Sequence, residues 1–146
     1  MSALGHWYRL GLTLLLMLLP DAALAQSQAA VAEEEWQLVI TSQVQAFRDR
    51  DAAEAMRYAA AAFHTRFATP EEFFIVIMGS GYAPIMDSRS HSFGAFRMID
   101  ENTVAQQVRF SGGDQKVYEA IYVLGREEAG WRVQGVQLAR TAALGV

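Results

Sequence analysis

The sequence predicts an α+β fold: N-terminal helices packed on a four-stranded antiparallel meander sheet. Three observations carry this. Apolar residues recur at helical spacing from Trp36 to Met78, and from Ser88 the period changes to two. Turn-forming stretches then divide the second half into four strand-like runs. Helices first and strands after is the pattern of helices gathered on one face of an antiparallel sheet.

The elements follow in order. His6 and Arg9 precede an apolar block, Leu10–Leu19, which Pro20 closes; Ala23 and Ala25 then frame an Ala-x-Ala site before Gln26. This is the three-part pattern of a secretory signal peptide cut after Ala25. The block is shorter than the ~20 apolar residues a spanning helix needs, so no stable membrane span is expected after cleavage. Residues 1–25 are therefore expected to be the signal peptide, 26–31 a tether, 32–140 one α+β domain and 141–146 a tail. The expected location is the periplasm or the exterior. The mature chain contains no cysteine, so its stability must come from the core. Its net charge of −4 argues against nucleic acid and against a polybasic membrane contact.

Glu33, Glu34 and Glu35 sit where a helix N-terminus favours negative charge, and Trp36, Ile40, Val44 and Phe47 form one stripe of a helix ending near Arg50. Asp51 and Glu54 have capping-box spacing ahead of an alanine-rich helix, "AAEAMRYAAAAF". Thr69, Pro70, Glu71 and Glu72 then read as cap, first position and first turn of an apolar helix. In "GSGYAPIM", Gly79 or Gly81 is expected to stop that helix, and Pro84 to prevent its continuation. The strand runs are "SHSFGAFRMI", "TVAQQVRF", "KVYEAIYVL" and "WRVQGVQLA". Gly112-Gly113 predicts a hairpin of type I′, with positive φ at both glycines.

"FATPEEF", Met78, "GYAPI", Phe93-Gly94, Trp131-Arg132-Val133 and Gly135 together resemble the bacterial family called domain of unknown function 4864, from about Val31 to Leu138. Helices followed by a sheet ending in "WRVQGVQL" resemble the wider nuclear-transport-factor-2-like superfamily. The resemblance implies a cone, with a curved sheet wrapped around a long helix and an opening at one end. It implies no activity, because the superfamily hosts isomerases, dehydratases and non-catalytic binders. The family pattern often carries a cysteine where this chain has Val136, so no thiol role is implied.

No catalytic spacing is present, and no catalytic residue is assigned. The candidates for a pocket are Tyr82, His64, Asp87, Gln106 and Glu119, with Tyr58 and His91 as further polar groups. His64 and His91 also read as ordinary surface or structural histidines. Gln106 interrupts the apolar face of Val104, Val108 and Phe110; Glu119 interrupts that of Val117, Ile121 and Val123. Glu119 either pairs with Arg109 or Arg132 or lines a wet cavity. Tyr118, Ala120, Tyr122 and Leu124 make the other face of that strand apolar too, which suggests either a central strand or a sheet covered by a second subunit, a homodimer through the sheet face. After processing only His64 and His91 remain as histidines, so no metal is expected, and no cofactor motif occurs. Three readings stay open: a non-catalytic module that binds a small apolar ligand or a protein, a small lyase or isomerase with an acid or base in the cone, and a structural subunit of an envelope assembly whose Tyr118 and Tyr122 could face another chain.

Overall fold

The computed structural model describes residues 32–140, with no account of the Arg140 side chain. The expected signal peptide, tether and tail lie outside the described residues. Among the described residues no helix is long and apolar enough to cross a membrane.

Helix α1 (Glu35–Arg48) buries Trp36, Ile40, Val44 and Phe47, the stripe its spacing predicts. Its first turn closes on Gln37, whose side-chain oxygen accepts from the Glu34 N–H at 3.0 Å. Helix α2 (Ala52–Arg57) starts where the Asp51 carboxylate accepts from the Glu54 N–H at 3.0 Å. The predicted alanine-rich helix does not run through. It breaks at Tyr58–Ala60 and resumes as α3 (Ala61–Arg66). The break has a physical cause in the sheet. The Val133 N–H donates to the Tyr58 carbonyl and the Ala60 N–H to the Val133 carbonyl, both at 2.8 Å. These bonds cap the open edge of the last strand, and alanine is small enough to allow the approach.

Helix α4 (Pro70–Ile77) begins as predicted, with the Thr69 hydroxyl accepting from the Glu72 N–H at 3.1 Å. It stops at one of the two expected glycines, Gly81, in the left-handed conformation. The chain passes through a wider π-type turn, Met78–Tyr82, and re-enters a short helix, α5 (Ala83–Met86). Gly81 at φ 95° supplies the kink. Pro84 lies in the first turn of α5, where its missing N–H costs nothing. One helix therefore ends at Gly81 and a second, short one starts at once with Pro84 in its first turn, a new helix that the sequence does not predict.

Strands β1 (Ser88–Asp100), β2 (Thr103–Gly112), β3 (Val117–Glu127) and β4 (Gly130–Arg140) pair in chain order as an antiparallel meander. Register shifts interrupt β1–β2 in three places and β3–β4 in one. Such bulges bend strands and increase their twist. The core face carries Val104, Val108, Phe110, Ala120, Tyr122 and Leu124, each at most 2% exposed. This corrects the expectation that Tyr118 and Tyr122 could face another chain. Tyr122 is buried beneath the helices, and Tyr118 is partly buried against the same core. The outer face carries Arg109 opposite Glu119, joined at 2.8 Å, with Ile121 beside them.

The β2–β3 hairpin forms, but not on the predicted turn. Gly112 and Gly113 do not have positive φ; Gln115 does, at 62°. The loop is longer than a two-residue turn, closing with the Gly112 N–H on the Lys116 carbonyl at 3.0 Å. A left-handed conformation costs a non-glycine residue ~1–2 kcal/mol, of which glycine's greater unfolded freedom returns ~0.5–1. Gln115→Gly is therefore expected to stabilise by ~0.5 kcal/mol, read as a rise of ~2 °C in the thermal midpoint.

Candidate functional site

A cavity of about 320 Å³ lies between the helices and the core face of the sheet. Phe47 of α1, Phe73 of α4 and Val133 and Val136 of β4 give it apolar walls. Gln43, Tyr82 and Tyr122 are among its polar members, and Arg66, exposed on α3, lies at its rim. Among the described residues its lining contains no aspartate, glutamate or histidine.

Each polar group is placed by a local reason. Gln43 faces inward from α1, and its Nε2 donates to the Ala55 carbonyl of α2 at 3.1 Å. The kink at Gly81 brings Tyr82 to β4, where its hydroxyl donates to the Val136 carbonyl at 2.7 Å. This adds to the two bonds that Val133 makes with Tyr58 and Ala60 along β4. Tyr122 stands opposite Val136 in the β3–β4 register and is 1% exposed. Its hydroxyl is shut off from solvent and has no hydrogen-bond partner among the described residues. Burial pushes that phenol far above its ordinary range, so it is a neutral O–H donor at any working pH. The Trp131 Nε1–H is likewise a buried donor with no partner among the described residues.

Of the sequence candidates, only Tyr82 reaches this cavity. His64 is exposed on α3. Asp87 is exposed and accepts from Arg50 at 2.7 Å. Glu119 lies on the outer face in its pair with Arg109. Gln106 is fully buried, but its amide joins α1 to the sheet: Oε1 accepts from Trp36 Nε1 and Gln37 Nε2, each at 3.0 Å, while Nε2 donates to the Gly94 and Gln107 carbonyls. The structure thus scatters the five residues and brings together Gln43, Tyr82 and Tyr122. Gln43 and Tyr122 are missed as site residues in the sequence. A signal for Tyr122 exists: the hairpin pairs it with Gln106, so the two share a face.

A polar cluster lies beside the cavity. Arg48 donates to the Ser88 hydroxyl from Nε and Nη2 at 3.1 and 3.0 Å, and Nη2 lies 3.2 Å from His91 Nδ1. Arginine has no lone pair to offer, so Nδ1 accepts. The ring proton then sits on Nε2, 3.1 Å from the Thr41 hydroxyl. Burial first, and the Arg48 cation second, lower the His91 pKa, against a raising influence from Glu33. A depressed histidine contributes stability that is present above the unfolded value of about 6.5 and lost as pH falls toward the folded value. The wild type is expected to lose thermal stability below about pH 6.5, by at most ~1.4 kcal/mol per pH unit. His91→Gln keeps an acceptor and a donor without the titration, and should flatten that slope in a pH series of melting curves.

Among the described residues no group of three or more histidine, cysteine or acidic side chains could hold a metal ion.

Comparison with known proteins agrees with the architecture. A domain with a cystatin-like fold from Nostoc punctiforme is 11% identical, aligning over 75% of this chain and 76% of that one with a TM-score of 0.54. A protein of the NTF2-like family from Streptomyces avermitilis is 11% identical, aligning over 85% and 100% with a TM-score of 0.44. At such identity the first likeness speaks to fold alone, a cystatin-like α+β fold. No curated protein matches the chain. The family described as Domain of unknown function (DUF4864) matches residues 29–146, nearly all of the expected mature chain, and the protein belongs to that family.

Proposed function

We propose that the protein is an exported binding module that holds a small apolar molecule in the helix–sheet cavity. The observation that carries this reading is the chemistry of the wall. A space of about 320 Å³ is lined by phenylalanine and aliphatic side chains with a few polar groups and no carboxylate or imidazole. Mostly apolar concavities with few polar groups are the usual form of small-molecule sites. A lyase or isomerase on this scaffold would need an acid or base at that wall. The one sequence candidate that does reach it, Tyr82, has its hydroxyl committed to the Val136 carbonyl.

Native mass spectrometry of the full chain, exported into a bacterial periplasm and purified without refolding, tests both halves. The expected species begins at Gln26 and carries additional non-covalent mass. An intact N-terminus overturns export. A bare mass, with no thermal shift on adding naphthalene or indole, overturns binding. The same spectrum reads the oligomeric state; a second copy would dock on the outer sheet face around Ile121, which is 36% exposed.

A further inference from the structure

We propose that the molecule held in the helix–sheet cavity is a medium-chain carboxylate, seated tail first with its head group at the mouth on Arg66. The inference rests on the binding reading above and specifies its ligand class and which end of the ligand goes in.

The orientation follows from which polar groups an occupant can reach. The Tyr82 hydroxyl is bonded to the Val136 carbonyl, Gln43 Nε2 to the Ala55 carbonyl and the Ser80 hydroxyl to the Val76 carbonyl. The Tyr122 hydroxyl is closed to solvent, so no occupant touches it. The rest of the wall is phenylalanine and aliphatic surface, which favours an alkyl chain. A charged head placed against that surface would be a buried ion without a partner, which is far more costly than leaving it at the opening.

The mouth has the opposite character. Among the described residues Arg66 is the one charged member of the lining, and it is exposed. Its charged end, and not its stem alone, is at the wall. The guanidinium carbon lies 5.4 Å from the ring centroid of Phe67, itself a buried lining residue. A guanidinium stacked on a ring keeps its N–H edge free for a planar acceptor. The protein supplies none: among the described residues Arg66 forms no ion pair, and the Glu72 carboxylate accepts from the Ala68 N–H at 3.1 Å. In a chain of net charge −4, an unpaired cation beside an apolar opening is complementary to an anionic head. One guanidinium matches the single charge of a carboxylate; an alkyl phosphate carries up to about two. Size sets the chain. At a share of ~30 Å³ per water-sized group, the cavity admits about ten non-hydrogen atoms. Decanoate fills it and leaves its head outside.

The experiment is calorimetric titration of the exported, purified protein, and of Arg66→Gln and Arg66→Glu, with decanoate, 1-decanol and decyl phosphate. Arg66 is exposed, so both variants are expected to melt close to the wild type. The wild type should bind decanoate about three- to fivefold more tightly than Arg66→Gln, the scale of an exposed ion pair, and Arg66→Glu should bind it more weakly still. That ratio should shrink as salt is raised. Decanol should bind all three proteins alike. Two NMR readouts on carboxyl-labelled decanoate would not move if Arg66 acted on the fold alone. The bound carboxyl should titrate at lower pH in the wild type than in Arg66→Gln, because a neighbouring cation favours the ionised form. A soluble paramagnetic agent should broaden the carboxyl signal and spare the terminal methyl. Equal decanoate affinity and equal titration in wild type and Arg66→Gln, with decanol bound, overturn the inference and leave the binding reading standing. A protected carboxyl with a broadened methyl overturns the orientation. Decyl phosphate binding more tightly than decanoate, with the excess lost in Arg66→Gln, overturns the carboxylate in favour of a phosphate head. Failure of decanoate and decanol alike overturns the binding reading itself, which separates the two failures.

Discussion

Gln106→Leu should destabilise the protein by ~3–4 kcal/mol, although the two side chains are close in volume. The wild-type amide is fully buried and makes bonds in both directions. On one side it accepts from the indole N–H of Trp36 and the amide of Gln37 on α1. On the other it donates to the Gly94 carbonyl, inside the irregular stretch of β1 between Phe93 and Phe96. Leucine removes every partner at once. Trp36 is 8% exposed and packs edge-on against Trp131 at 5.5 Å, so its N–H has nowhere to turn. Gln37 is half-buried and can recover part of its loss from water. Orphaned buried groups cost ~1–3 kcal/mol each, which gives the total. Denaturant unfolding of both proteins measures it.

Gln106→Glu separates bonding from shape. A carboxylate can still accept from Trp36 and Gln37, but it faces carbonyl oxygens where the amide donated. Burial raises its folded pKa above the unfolded value of about 4.3. The stabilising form is the protonated one, whose O–H can donate as the amide did. Its contribution is full below the unfolded pKa and lost as pH rises through the folded pKa. Relative to wild type at each pH, Gln106→Glu should be mildest in acid and worst near neutrality. A pH-independent deficit would show that the direction of the Gly94 bond does not matter.

The parts of the fold readable in the sequence are those whose causes are local. Asp51 and Glu54, and Thr69 and Pro70, carry their capping chemistry within four residues, and both helices begin there. The change to period two at Ser88 marks the first strand. The missed features have remote causes. The alanine-rich segment breaks at Tyr58–Ala60 because Val133, far along the chain, needs partners at the sheet edge. The short helix α5 follows the expected glycine stop, where the Tyr82 hydroxyl is bonded to a carbonyl on β4. The candidate site shows the limit most clearly. Period two divides β3 into two faces but does not say which is inside. A polar residue in an apolar row marks Gln106 and Glu119 equally, yet one lies at 0% exposure and the other on the outer face. Tyr122 was hidden for the opposite reason: an aromatic in an apolar row looks like packing, and its missing partner is visible only in three dimensions.

Phe73→Ala should be the most damaging change at the cavity and the most readily rescued. Phe73 is 2% exposed and contacts Phe47, Phe63 and Phe67, with ring centroids 6.2, 5.8 and 5.6 Å away. Truncating a buried phenylalanine costs ~3–5 kcal/mol, a large part of the ~5–15 kcal/mol that holds a domain of this size. The site cannot collapse easily, because its neighbours already border an open space of about 320 Å³. The lost ring therefore enlarges an existing cavity. An engineered apolar cavity of ~150 Å³ stays dry and takes up benzene, so this larger one should do the same. A ligand that binds only the folded state stabilises by ~2.7 kcal/mol at a hundred times its dissociation constant. Benzene or indole should thus restore much of the melting temperature of Phe73→Ala. The same ligands should have little effect on a variant of comparable instability away from the cavity, for which Leu124→Ala, fully buried on β3 and outside the cavity lining, is the control. Equal rescue of both variants, or of neither, would mean that the space beside Phe73 is not open to a ligand.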